Sequence, residues 1–188
     1  MPTRQLWKTL ILPILICSLA SLFYLYDFVL RVIPSVMSTQ LMSQYQVTAE
    51  GLGFLSSFFF LGYTIMQIPC GLLFDRYGPR RLLTITCFVA AISAFLFLAT
   101  DSFLVASLAR LFMGMGSAFA YIGALVLAMR WLDKRFYAMS AGIIQLMGAI
   151  GAIIGQAALA FWLTADSAQT VMTTIALIGL MLATLFWF

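Results

Sequence analysis

The chain has no histidine and very little charge: of its 188 residues, 9% are charged and 64% are hydrophobic. The missing histidine removes the commonest metal ligand and the usual acid–base group at neutral pH. The three cysteines, Cys17, Cys70 and Cys87, are too scattered for a disulfide framework or a zinc spacing. They read as small buried hydrophobes. No nucleophile stands beside a base, so neither an enzyme nor a bound cofactor or metal is expected. The net charge of +4 and pI near 9.2 would suit nucleic acid. No basic helix face exists to carry phosphate contacts, so nucleic acid is not an expected partner. Low-complexity and linker-like stretches are missing too. Soluble domains carry about 25% charged residues, so a chain this apolar has lipid for its solvent.

What is present is a set of long apolar runs. Six of them, at about 10–33, 51–73, 81–99, 102–128, 138–163 and 169–188, reach the ~20 residues needed to cross a bilayer as a helix. The first is too long for a signal peptide and lacks a small-residue cleavage site. It is expected to stay as the first membrane helix. The fold class that follows is all-α: a polytopic membrane protein, a six-transmembrane-helix bundle forming one domain over 1–188. Basic residues cluster at Arg4 and Lys8, at Arg76, Arg80 and Arg81, and at Arg130, Lys134 and Arg135. The intervening connections contain no Lys or Arg, and carry Glu50, Asp101 and Asp166. Basic loops stay in the cytoplasm, so the pattern predicts a multi-pass protein of the cell inner membrane with a cytoplasmic N-terminus. Pro34 fits the end of the first helix. Thr48 with Glu50, and Asp101 with Ser102, fit helix starts. Trp7, Trp131, Trp162 and Trp187 fall near span ends, as interfacial anchors do.

A charged side chain inside a span is costly unless it faces a cavity or a partner. Asp27 and Arg31 are four residues apart and share a helix face. Counting about 1.5 Å per residue, Asp27 lies about 9 Å and Arg110 about 10 Å from the outer ends of their spans, at similar depth. All three are expected to face a central cavity. Asp27 would act as proton carrier or counter-ion, and an arginine would read a substrate carboxylate. A purely structural ion pair, or snorkelling of Arg31 to the interface, stays open. Tyr24, Tyr63, Gln67, Tyr121 and Gln145 are further cavity candidates, since each needs a polar partner in lipid. Gly148, Gly151 and Gly155 in the fifth span include a small-xxx-small spacing. They suit either a sliding contact with another six-helix unit or packing inside this one.

Residues 71 to 81, Gly-Leu-Leu-Phe-Asp-Arg-Tyr-Gly-Pro-Arg-Arg, join the second and third spans. Glycines and a proline there favour a tight turn. The segment closely resembles the loop between helices 2 and 3 of the major facilitator superfamily, matching at Gly71, Leu73, Asp75, Arg76, Gly78, Arg80 and Arg81. Arg110, Gly114 and Gly116 are similar to that superfamily's helix 4 motif, whose arginine is linked to proton coupling. The two glycines serve equally as close-packing positions. The resemblance implies secondary transport by alternating access. Asp75 would cap the following helix and pair with the arginines of a gating loop, although the arginines alone also set topology. The run from Tyr26 to Met37, and Met66 to Gly71, resemble the Pht-like amino-acid transporters of intracellular bacteria. This implies uptake, by symport, of an amino acid or similar metabolite, with protons as possible partners. The family's fold is twelve helices in two halves, and this sequence resembles the N-terminal half. A fragment, a half needing a separate second half in trans, and a parallel homodimer are the expected alternatives, with a non-transporting membrane protein as the second functional reading.

Overall fold

The computed structural model describes residues 11–165 and 167–187. Among these residues the secondary structure is helical, without strands. Six helices are long and apolar enough to span a membrane: α1 (Leu12–Val36), α3 (Ala49–Tyr77), α4 (Pro79–Ala99), α5 (Phe103–Trp131), α6 (Tyr137–Ala165) and α7 (Ala168–Trp187). A short helix, α2 (Ser38–Tyr45), precedes α3, and a 3-10 turn, Lys134–Phe136, precedes α6. The six expected spans are all present, with ends shifted by a few residues. Arg4, Trp7, Lys8, Asp166 and Phe188 lie outside the described residues.

α5 is the hub. It packs on α3, α4 and α1, while α4 also packs on α7 and α1 on α6. Its composition explains this. Ala106, Ala109, Gly114, Gly116, Ala118, Ala120, Gly123, Ala124 and Ala128 are all buried, and small residues let helix backbones approach closely in lipid. A Cβ on Gly114 would overlap the Phe59 carbonyl of α3, and one on Gly62 would overlap the Leu111 carbonyl of α5. On the other side of the hub, a Cβ on Gly116 would come within 2.5 Å of the Thr86 carbonyl of α4. The α6 glycines pack within the bundle as well. A Cβ on Gly148 would meet the Tyr24 ring at 2.6 Å, one on Gly151 the Leu25 carbonyl at 2.5 Å, and one on Gly155 Val32 at 3.1 Å. Of the two expectations for these glycines, internal packing is the one seen.

Large apolar side chains cover the outside. Ile68 is 86% and Leu72 74% exposed, with Phe60, Ile85, Leu104, Ile153 and Phe161 among others. Water would penalise such a surface and hydrocarbon would not.

Three boundaries differ from expectation, each for a physical reason. Pro34 does not end α1, which runs on to Val36. The stretch before α3, expected as a loop, contains α2. Gln46, in the left-handed conformation (φ 55°), closes that short helix. Its end then serves a neighbour, because the last carbonyls of any helix need donors. The Tyr45 hydroxyl donates to the Phe97 carbonyl of α4. The Gln44 side chain donates to the carbonyls of Leu98 and Thr100, at 3.4 and 3.2 Å. Burial, reinforced by Asp101, pushes the Tyr45 hydroxyl above its ordinary pKa. Third, the segment 71–81 is not an open loop. α3 continues through Asp75 to Tyr77, only Gly78 breaks the helix, and Pro79 begins α4. Gly78 has φ 76° and ψ 158°, a region essentially confined to glycine. Proline at the first helical position is favoured. Thr48 and Ser102 do occupy N-cap positions, as expected, without side-chain cap bonds.

Candidate functional site: an enclosed charge cluster

Asp27, Arg31 and Arg110 are brought together where α1 meets α5. The Asp27 carboxylate receives Arg31 through two bonds, Nη2 at 2.7 Å and Nε at 3.2 Å. This fork is the strong form of a charge-assisted pair, and the four-residue spacing on one helix makes it possible. The Asp27 side chain is 0% exposed and that of Arg31 20%. Phe28 and Tyr63 flank the Arg31 guanidinium, with centroids at 4.6 and 4.5 Å, and Phe59 lies at 5.8 Å. Arg31 is therefore held, rather than reaching to the interface.

Arg110 is only 1% exposed. Its Nη1 donates to the Leu30 carbonyl at 3.0 Å and contacts Met113 Sδ at 3.3 Å, while Nε has no partner among the described residues. Phe59 and Phe97 lie against the guanidinium, with centroids at 4.7 and 5.6 Å. Such ring faces attract a desolvated cation. The expectation that all three charges face a cavity does not hold here. Asp27 and Arg110 are enclosed and only Arg31 reaches the half-exposed face, because aromatic rings from α3 and α4 close over Arg110. Ser117 is buried beside Asp27, its hydroxyl within the carboxylate's surroundings. Sequence reasoning missed Ser117, although it lies seven residues from Arg110, two turns along the same face of α5.

Polar residues extend the cluster along that face. The Tyr24 hydroxyl donates to Gln145 Oε1 of α6 at 3.2 Å, and the Tyr24 ring packs against Tyr121 and Phe28, each at 5.1 Å. Tyr63 stacks on Phe59 at 6.4 Å. Gln67 stands exposed one turn along α3 from Tyr63, with no bond to the cluster among the described residues. The span interiors hold one acidic and two basic side chains, because the other acids sit at helix ends or between helices. With all three ionised, the cluster carries one unmatched positive charge.

The two described basic segments gather at one end of the bundle. Tyr77, Gly78, Arg80, Arg81 and Arg130 share the wall of a cleft of about 710 Å³ with Ile16 and Leu19 of α1. Asp75 does not act as expected there. It lies in the last turn of α3, exposed, and forms no ion pair among the described residues. The N-cap place of α4 belongs to Gly78, three residues too far on for Asp75 to reach as a cap. Arg80 instead donates to the Trp187 carbonyl at the end of α7. Asp133, in the other basic connection, caps the 3-10 turn by accepting from the Arg135 N–H at 3.2 Å.

Residues 14–188 match the Major Facilitator Superfamily pattern. The chain therefore belongs to that superfamily, as a multi-pass membrane protein of a transporter family. It is 28% identical over 176 residues to the uncharacterized transporter YybO of Bacillus subtilis, which covers 92% of this chain and 40% of that protein. It is 27% identical over 149 residues to a probable L-galactonate transporter of Escherichia coli, covering 79% of this chain and 33% of the relative. A probable galactarate/D-glucarate transporter of Escherichia coli, GarP, is 32% identical over 66 residues, 35% of this chain and 15% of that protein. The chain thus spans well under half the length of these curated relatives.

Proposed function

We propose that the chain forms the N-terminal six-helix part of a secondary transporter for a small organic carboxylate, with sugar acids the favoured class. The observation that carries this is Arg31. It is the one guanidinium of the cluster on the half-exposed face, and its cluster holds one positive charge more than it can match. An incoming carboxylate would supply the missing negative charge, and Arg is suited to bind it with two parallel bonds. The names of two relatives, transporters of L-galactonate and of galactarate or D-glucarate, favour sugar acids. Tyr24, Tyr63, Gln67, Tyr121 and Gln145 would then meet the hydroxyl groups.

Protonation of Asp27 would release Arg31 from its fork and couple uptake to protons. The basic end faces the cytoplasm of a cell inner membrane, and a second six-helix half supplies the opposite wall of the cavity. The resemblance of 26–37 and 66–71 to Pht-like carriers favours amino acids as the rival cargo, since they share the carboxylate. Uptake by proteoliposomes, with the chain alone and with a co-expressed second half, separates these readings. The expected result is accumulation of labelled L-galactonate that collapses with a protonophore. Accumulation of amino acids alone would replace the substrate class. Uptake indifferent to the proton gradient would remove Asp27's role. Silence of both preparations would leave a non-transporting membrane protein.

A further inference from the structure

Pro34 stands inside α1, and proline has no N–H to give. In an α-helix the N–H of residue 34 would serve the carbonyl of residue 30. The Leu30 carbonyl is therefore deprived of its helical donor in a part of the chain where water is excluded. The group that donates to it is Arg110 Nη1, from α5, at 3.0 Å. An unsatisfied carbonyl is expensive in this setting, and so is a buried guanidinium without acceptors. Each answers the other. Pro69 offers the contrast within the same molecule. It breaks α3 in the same way, but its counterpart, Ile65, lies on an exposed face, and among the described residues no side chain serves that carbonyl.

We infer that Arg110 is a positioning residue rather than a reader of solute: it fills the gap that Pro34 opens in α1 and so sets the place of Leu30 and of its neighbour Arg31. Three observations support this. Arg110 is enclosed against Phe59 and Phe97, with 1% of its surface open. Its bond goes to backbone rather than to a carboxylate. The carbonyl it holds belongs to the residue just before the arginine that forks onto Asp27. Pro34 and Arg110, far apart in sequence, form one device: the proline frees an acceptor, the arginine occupies it, and α1 is tied to the hub helix beside the charge cluster.

The test is a double-substitution cycle on the purified chain in detergent, read by thermal melting. It needs no substrate. Arg110→Leu should lower the melting temperature strongly when Pro34 is present, because the Leu30 carbonyl loses its donor. Pro34→Ala restores the helical N–H, so the same Arg110→Leu change should cost about half as much or less in that background, the mark of two coupled groups. If Arg110→Leu does not fold, Arg110→Gln, which keeps an N–H donor, replaces it in the cycle and should retain more stability with Pro34 than Arg110→Met does. Positioning is read separately by mass-mapped phenylglyoxal modification of Arg31. The rate should rise in Arg110→Leu and fall back toward the parent value in Pro34→Ala/Arg110→Leu, a comparison in which the charges are the same. Equal losses of melting temperature in both backgrounds, or an Arg31 rate that ignores both substitutions, would overturn the inference.

Discussion

Arg76, Arg80, Arg81 and Arg130 live in one setting and Arg31 and Arg110 in another, and the difference shows what each setting demands. At the basic end, Arg76, Arg80, Arg81 and Arg130 are exposed and none forms an ion pair among the described residues. Exposed charges of this kind can be solvated by water, and only Arg80 among them bonds to another helix, at the Trp187 carbonyl. Inside the bundle, Arg31 and Arg110 are provided for in detail: a carboxylate fork for one, a freed carbonyl and two aromatic rings for the other. The same side chain is an exposed surface charge in the first place and a built structural element in the second. The motif at 71–81 lies in the first setting, and the helix 4 motif that begins at Arg110 lies in the second.

The comparison is broken most severely by removing Asp27. Asp27→Asn should lower stability by about 3–5 kcal/mol, because a buried guanidinium loses its nearby counter-charge. Denaturation in detergent measures this, and a variant melting like its parent would mean that enclosure does not distinguish the two settings. Gly114→Ala comes next. A methyl driven into the Phe59 carbonyl must push α3 from α5, at about 1–3 kcal/mol or more, whereas Gly71→Ala, with open space around its Cβ position, should be close to neutral. The basic end is sensitive at one backbone position. Gly78→Ala should cost about 1–3 kcal/mol for its positive φ, seen as a lower melting temperature. Smallest of all, Arg81→Gln and Asp75→Asn should stay within about 0.5 kcal/mol of the parent, since neither makes a charged contact here. A large loss in either would show a bracing role for the motif within this half.

Much of the fold was legible because each span is a long apolar run, and two of the three basic clusters sit between such runs. The charges of the site were legible too: Asp27, Arg31 and Arg110 stand out in apolar surroundings, and the four-residue spacing announces the pair. Their enclosure was not legible. It depends on Phe59 and Phe97, two of many phenylalanines, arriving from other helices. Pro34 pointed the wrong way, since a proline in isolation signals a helix end, and only the tertiary donor Arg110 shows how the helix continues. Asp75 misled for a related reason. The motif looks like a loop in sequence, but helical propensity on both sides leaves Gly78 alone to make the turn.

Arg31, partly exposed at 20%, is the proposed receiver of the carboxylate of a small polyhydroxy acid. The most direct test is the melting temperature of the purified chain with galactarate or with galactitol, the uncharged polyol of the same carbon skeleton, in the parent and in Arg31→Lys. Saturating ligand that binds only the folded state stabilises it by about 2.7 kcal/mol at a hundred times its Kd. The expected result is a rise with galactarate in the parent, little or none with galactitol, and a much smaller rise in Arg31→Lys. Equal rises with both compounds, or a galactarate response untouched by Arg31→Lys, would contradict it.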